Sequence, residues 1–202
     1  MKRYKVFLIT VLILLIIIFI IAISKNMTKN KKNGNNMNSQ EIVDTILNIN
    51  SYKTKIYVEV NSNKNQNKYI LEQEYNLENG CVQKVIEPEN IAGVKITKKD
   101  NNLIIENTVL DLKTIFENYK GLEDNSLDLI SFINDYKQSS NSVFEEKDNE
   151  IIMKTSGDKE NIYLKNKILY IDRKNVIPKK MLIQDNNQNT TIIIEYNEVE
   201  LN

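Results

Sequence analysis

Pairs of carboxylates are the first catalytic candidates in this chain of 202 residues, because the sequence contains no histidine. Without histidine the chain lacks the usual general base, the partner that activates a serine or cysteine nucleophile, and the commonest metal ligand. Two carboxylates on either side of a glycosidic bond can act as acid and base on a glycan. The acidic pairs are Glu72 and Glu74, Glu145 and Glu146, and Glu123 and Asp124. Each pair falls on the polar face of a predicted strand, at a turn or at a strand edge, which favours solvated surface charge.

Cys81 is the single cysteine of the chain, so it cannot form an intrachain disulfide. It follows a predicted turn and begins a predicted strand, and Lys84 is the one nearby cation able to lower its pKa. We therefore interpret Cys81 as a buried, neutral thiol. Glycine-rich phosphate loops and zinc-ligand spacings are also missing from the sequence. These patterns predict a protein that is not an enzyme and has no cofactor, no catalytic residue and no metal site; its partner-binding residues stay unknown.

The N-terminal residues read as a targeting segment. Residues 6–24 are uncharged and apolar, and nineteen helical residues reach roughly 28 Å, close to the hydrocarbon thickness of a bilayer. We expect residues 1–24 to form a single-pass signal anchor, with cleavage near Ala22 and Ser24 as the alternative. The basic residues on the two sides of the run are nearly balanced, so the positive-inside rule does not decide the topology. We expect the rest of the chain to be extracytoplasmic, at the cell or forespore membrane.

The charges divide the chain into a basic beginning and an acidic remainder. Residues 1–40 contain seven basic and no acidic residues, which leaves 20 basic and 27 acidic residues, a net charge of −7, for residues 41–202. Residues 25–39 are polar and basic and predict a flexible tether, because they cannot bury enough apolar surface to fold. An acidic domain over residues 40–202 argues against nucleic acid as a partner, since phosphate contacts need clusters of lysine and arginine.

Alternating apolar and polar residues dominate residues 40–202 and predict many short strands joined by tight turns. Residues 165–167 are among the predicted turns. The predicted strands are Tyr52–Val60, Lys68–Leu77, Cys81–Glu87, Val94–Lys98, Leu103–Asn107, Ser142–Lys147, Ile151–Thr155, Asn161–Leu164, Ile168–Asp172, Lys179–Gln184 and Thr191–Glu200.

Helical spacing of apolar residues interrupts the strands in three places. The predicted helices are Gln40–Ile49 with Ser39 as its cap, Leu112–Tyr119, and a helix that ends at Gln138 and is capped by Asn125 or Ser126. We expect their apolar faces to be core. The predicted fold class is therefore mainly β with α: a curved antiparallel half-barrel sheet with about three helices, preceded by one N-terminal transmembrane helix.

Short motifs in two regions carry a family resemblance. Residues 169–196, which include Leu169-Tyr170-Ile171-Asp172 and Ile177-Pro178-Lys179, resemble the closing strands of LolA/LolB-like half-barrels. Residues 87–94 (EPENIAGV) and 100–119 resemble the clostridial germination lipoprotein family, GerS-like. The resemblance covers about residues 41–202. The sequence departs from the lipoprotein pattern because no cysteine follows the apolar run to accept a lipid.

The resemblance implies a LolA-like sheet and a non-enzymatic role in sporulation and germination. It implies that the domain supports a spore-cortex N-acetylmuramoyl-L-alanine amidase as a protein partner. The alternative is a lipid or lipopeptide carrier of the LolA type, and a wall-glycan hydrolase that uses Glu72 and Glu74 is a third hypothesis. The outer face of the sheet, its edge strands and the helix at residues 126–138 are the candidate binding faces.

Overall fold

The computed structural model describes residues 34–202 apart from residues 63, 101, 108, 118–126 and 157–164. Eleven strands form one antiparallel sheet in the order β6-β5-β4-β3-β2-β1-β11-β10-β9-β8-β7. The strands are β1 (Ser51–Asn61), β2 (Gln66–Asn76), β3 (Gly80–Glu87), β4 (Val94–Lys99), β5 (Asn102–Asn107), β6 (Leu112–Phe116), β7 (Val143–Lys147), β8 (Glu150–Ser156), β9 (Asn166–Asp172), β10 (Ile177–Gln184) and β11 (Thr190–Leu201). The helices are α1 (Ser39–Leu47) and α2 (Leu129–Gln138), and single 3-10 turns lie at Gly34–Asn36 and Glu89–Ile91.

The sheet consists of two meanders that meet in its middle. Strands β1 to β6 follow one another outward to one edge, and β7 to β11 return from the other edge. The last strand, β11, pairs antiparallel with β1, with Ile56 opposite Tyr196 and Val58 opposite Ile194. The first and last strands, β1 and β11, therefore join the two meanders in the middle of the sheet. No local sequence pattern specifies this pairing.

One face of the sheet carries the core, and we call it the inner face. Buried side chains alternate with more exposed ones along β1 and β9, as the pleat requires. Both helices lie against this face, and each buries three apolar side chains. These residues are Ile42, Val43 and Ile46 of α1 and Leu129, Phe132 and Ile133 of α2. Both helices contact β8, so they cover the inner face on the β7–β11 side of the sheet.

Side-chain caps fix the starts of the two helices, although not at the predicted residues. Asn38, rather than Ser39, caps α1: its side chain accepts the Glu41 N–H, and the Glu41 carboxylate accepts the Asn38 N–H at 2.8 Å. Asp128, rather than Asn125 or Ser126, caps α2 by accepting the Ser131 N–H at 2.7 Å.

The predicted fold class needs correction in its helices. Two α-helices, not about three, occur in the described part of the chain, and Leu112–Phe116 is a strand where a helix was predicted. The spacing of apolar residues in so short a segment fits both the helical and the strand period. The segment contains β-branched and aromatic residues, which favour a strand, and the edge of β5 supplies it with hydrogen-bond partners. The predicted antiparallel sheet is confirmed.

The transmembrane helix in the predicted fold class is not supported either. None of the helices in residues 34–202, as far as they are described, is long and apolar enough to cross a membrane. The predicted apolar helix at residues 6–24 and the predicted strand Asn161–Leu164 lie outside the described residues.

Candidate functional site

A groove lies on the inner face where α2 stands beside the ends of β2, β3 and β4. Its volume is about 1030 Å³. Its lining is largely polar and includes Tyr75, Cys81, Lys98, Asp128, Asn134 and Asp135. This groove is the candidate site, because it joins the helix-covered half of the inner face to the half that no described helix covers.

A row of side chains directly opposite one another forms the floor of the groove. Tyr52, Tyr75, Cys81 and Lys98 come from β1, β2, β3 and β4 in register. The rings of Tyr52 and Tyr75 stack with their centroids 5.8 Å apart. The Tyr52 hydroxyl lies 3.0 Å from Gln73 Oε1 and 3.9 Å from Cys81 Sγ. The floor is therefore built from aromatic and polar groups that satisfy one another.

A buried ion pair connects this floor to α2. Lys98 Nζ lies 3.1 Å from Asp128 Oδ2, and the Asp128 side chain is only 5 % exposed. The same carboxylate caps α2 through its other oxygen. In addition, Gln73 Nε2 donates to the carbonyl of Leu127 at 2.9 Å. The start of α2 is therefore held by β2 and β4 together.

A second buried ion pair holds α2 from the opposite side. Lys167 of β9 is completely buried, and its ammonium group contacts the Asp135 carboxylate and, at 3.3 Å, the Ser131 hydroxyl. The sequence pattern had placed Lys167 in a turn, but it lies inside β9. Because Ser131 and Asp135 are one helical turn apart on α2, one lysine fixes both the position and the rotation of the helix.

Burial controls the titration of the groups in and beneath the groove. Burial, with Asp128 nearby, raises the pKa of the Cys81 thiol well above its usual range. Burial likewise raises the pKa of the Tyr196 hydroxyl. The structure buries Cys81, as the sequence predicted, and the thiol is neutral and poorly suited to act as a nucleophile.

Two buried polar atoms near this cluster lack hydrogen-bond partners within the described structure. They are Nε2 of Gln83 and the hydroxyl oxygen of Tyr196. Gln83 lies opposite Gln73 in the sheet, whereas Tyr196 lies opposite Ile56. An unpaired buried polar group costs about 1–3 kcal/mol, so each of the two meanders carries one such cost, at Gln83 of β3 and at Tyr196 of β11.

The acidic pairs suggested by the sequence lie away from the groove. Glu72 and Glu74 alternate with the buried Leu71 and Gln73, so they point to the outer face. Glu145 pairs with Lys154 at 2.7 Å on β7 and β8. Glu123 and Asp124 lie outside the described residues. The described residues hold no group of three or more histidine, cysteine or acidic side chains that could hold a metal.

Glu146 has a structural partner that sequence reasoning missed. Arg173 donates from Nε to Glu146 Oε1 at 2.6 Å, and from its two terminal nitrogens to the carbonyls of Gly34 and Met37. The other carboxylate oxygen of Glu146 accepts the Ser39 hydroxyl. We call this set the Arg173 clamp, because it holds residues 34–39 against β7 and the β9–β10 turn.

The comparison with solved structures finds similar chains. The chain is similar to a chain in the structure of the CwlD amidase from Clostridioides difficile in complex with the GerS lipoprotein, at 22% identity and a TM-score of 0.53, over 80% of this chain and 92% of that chain. An uncharacterized conserved protein from Thermus thermophilus matches at 9% identity and a TM-score of 0.53, over 81% and 87% of the two chains. A LolA superfamily protein from Nitrosomonas europaea matches at 12% identity and a TM-score of 0.44, over 81% and 93%.

The fold and the groove define a class of single-sheet proteins with helices on the inner face. More particularly, residues 5–202 match the family described as sporulation protein YdcC-like, and the chain belongs to that family. A search of curated proteins found no match.

Proposed function

We propose that this chain is a non-enzymatic, extracytoplasmic binding protein that supports a spore-cortex N-acetylmuramoyl-L-alanine amidase. The observation that carries the proposal is the fold shared with the complex of the CwlD amidase and GerS. Membership of a sporulation family supports the same setting. Because likeness at 22% identity concerns the fold alone, the amidase partnership is an inference to be tested.

The described surface suits a protein partner better than a catalytic role. The carboxylates at Glu145 and Glu146 are engaged by basic side chains, and Cys81 is buried and neutral. The exposed apolar side chains cluster instead on β6 and the turn before it, at Val109, Leu110, Leu112, Ile115 and Phe116. Exposed apolar groups of this kind are typical of surfaces that contact other proteins.

Carriage of a lipid, the alternative function, requires an apolar space on the inner face. The groove instead mixes lysine, aspartate, asparagine and serine side chains with apolar groups such as Tyr75, Leu77 and Ile130. The apolar part of the inner face is filled by fully buried side chains of α1 and α2, such as Ile46 and Phe132. An acyl chain would have to displace α2 and break its two buried ion pairs. The structure therefore favours the binding protein over the carrier.

The decisive experiment is coexpression of the full chain with the cortex amidase of the same organism, in mild detergent because residues 6–24 are apolar. A joint peak on a sizing column at micromolar concentration, which corresponds to roughly −8 kcal/mol of binding free energy, supports the proposal. Activation of the amidase on isolated cortex by the added chain would establish the supporting role.

Two controls separate the competing functions. Separate peaks and unchanged amidase activity would reject the partnership, and near-stoichiometric lipid in the purified protein would favour the carrier. Wall-degrading activity of the chain alone that disappears in the Glu72→Gln/Glu74→Gln variant would favour the hydrolase. Val143→Lys, on the edge opposite the exposed apolar cluster, is the matched control for any loss of binding in Ile115→Lys.

A further inference from the structure

The two edges of the sheet differ in how they are protected against pairing. At one edge, β7 carries three charged residues among its five, which is a common device against edge-to-edge association. At the other edge, β6 carries one charged residue, Lys113, and all five of its residues are exposed. Ile115 is 52 % exposed, and no strand among the described residues pairs with the outer side of β6. The β6 edge is thus open, apolar and weakly protected.

Charges alternate across the last three strands of the outer face, β4 to β6, whereas Lys84 of β3 lies opposite Lys95 of β4. Lys95 of β4 lies opposite Glu106 of β5, which lies opposite Lys113 of β6. The nitrogen–oxygen distances are 3.5 Å for the first pair and 3.0 Å for the second. Opposite charges directly across neighbouring strands stabilise a sheet, and like charges destabilise it. A further strand with a carboxylate beside Lys113 would continue this series.

The chain itself supplies that carboxylate. Glu117 follows β6 directly and is exposed. The structure places Glu117 in the turn that follows β6; extending β6 by this one residue puts Lys113, Ile115 and Glu117, which have the same parity, on the outer face. An antiparallel pair of two identical β6 segments centred on Ile115 puts each Lys113 opposite the other copy's Glu117. It also puts Ile115 opposite Ile115, and Thr114 opposite Phe116.

We propose that this chain forms a symmetric homodimer in which β6 pairs antiparallel with β6 of a second copy, centred on Ile115. The contact is isologous, as a two-fold axis requires, so both Lys113–Glu117 pairs form at once. This pairing of β6 with β6 continues the series Lys95, Glu106, Lys113 into the second copy. It joins the two sheets through backbone hydrogen bonds. A foreign strand would need to supply the same carboxylate and apolar pattern, whereas a second copy carries both.

The expected dimer is weak and depends on concentration. A contact built on one short strand from each copy falls below the roughly 1,200 Å² of total buried area that stable interfaces reach. We therefore expect dissociation in the micromolar range. The proposed amidase contact uses the same β6 surface, so the dimer is tested first on the chain without the amidase.

Cross-linking through a cysteine at the two-fold axis tests the dimer. The full chain carrying Ile115→Cys is treated in mild detergent with a short bis-maleimide, and Val143→Cys on β7 is the matched control. The native Cys81 is buried and is not expected to compete. We expect a covalent dimer from Ile115→Cys, at least tenfold more than from Val143→Cys, and increasing with protein concentration.

Charge exchange tests the register. Adding Lys113→Glu to Ile115→Cys places a carboxylate opposite Glu117 and should reduce cross-linking severalfold; Glu117→Lys alone should do the same through two lysines. The double exchange, Lys113→Glu with Glu117→Lys, should restore it when Glu106→Gln also removes the carboxylate that pairs with Lys113 in the same chain. Both sites are exposed, and urea unfolding confirms that each variant is folded. Four results would each overturn the proposal. They are equal cross-linking of the two edges, no dimer from Ile115→Cys, no rescue by the double exchange, and capture of the amidase in place of a second copy.

Discussion

Replacing Lys167 by methionine should destabilise the domain strongly, although methionine fills nearly the same space. Lys167 is 0 % exposed, and its ammonium group contacts Asp135 and Ser131 of α2. Removing one partner of a buried ion pair costs about 3–5 kcal/mol, because the remaining charge stays desolvated. The Asp135 side chain keeps 22 % exposure, so water reaches it in part. We therefore expect a loss at the lower end, about 3 kcal/mol.

Urea unfolding followed by far-ultraviolet circular dichroism measures this loss by linear extrapolation. The double variant Lys167→Met/Asp135→Leu should return to within about 1 kcal/mol of the wild type, because no unpaired charge remains. Lys154→Met is the matched control: it removes an exposed pair with Glu145 and should cost less than about 1 kcal/mol. A cost below about 1 kcal/mol for Lys167→Met, or a double variant as unstable as the single one, would refute the reasoning.

Three further predictions concern the other buried and clamped groups. Asp128→Ala should cost about 2–4 kcal/mol in urea unfolding, because it removes the cap of α2 and the partner of Lys98; Asp128→Asn keeps the cap and should cost clearly less. Cys81 should react with a thiol reagent only as the protein unfolds, because burial raises its pKa; equal rates in buffer and in urea would contradict this. The Ser39 hydroxyl and then Arg173 lower the pKa of Glu146, so its contribution is present above the unfolded pKa and is lost as the pH falls through the folded pKa. Glu146→Gln should therefore flatten the acid side of the stability profile between about pH 5 and pH 3, and a profile as steep as that of the wild type would count against the clamp.

Local alternation was enough to predict most of the sheet. Tyr52–Val60 and Lys68–Leu77 were predicted within two residues of the observed strands β1 and β2. Two-residue alternation is a property of the strand itself, so it survives in one sequence without knowledge of the partners. The predicted helix Leu112–Tyr119 was wrong over Leu112–Phe116, because the strand conformation of this segment depends on the neighbouring β5 and not on its own apolar spacing.

The site was largely beyond prediction, because its groups come from distant parts of the chain. Lys98 and Asp128 are thirty residues apart, and Lys167 and Asp135 are thirty-two apart. Each looks like an ordinary surface charge in the sequence, and only the pairing of β1 with β11 brings the two meanders together under α2. A lysine within an otherwise apolar alternation, as at Lys167 before Leu169 and Ile171, is the signal that was available. It indicates a cation on the buried face of a strand.

The position of α2 explains why the two halves of the inner face have different capacities to bind. Lys98 holds the start of α2 from β4 through Asp128, and Lys167 holds the helix about two turns later from β9 through Asp135. A ligand beneath α2 would separate two buried ion pairs, each at a cost of several kcal/mol. Among the described residues, β5 and β6 make no ion pair with α2, and the apolar side chains of β6 are exposed. We therefore expect the proposed partner to bind at β6 and its neighbours, where it would meet an exposed surface and move no helix.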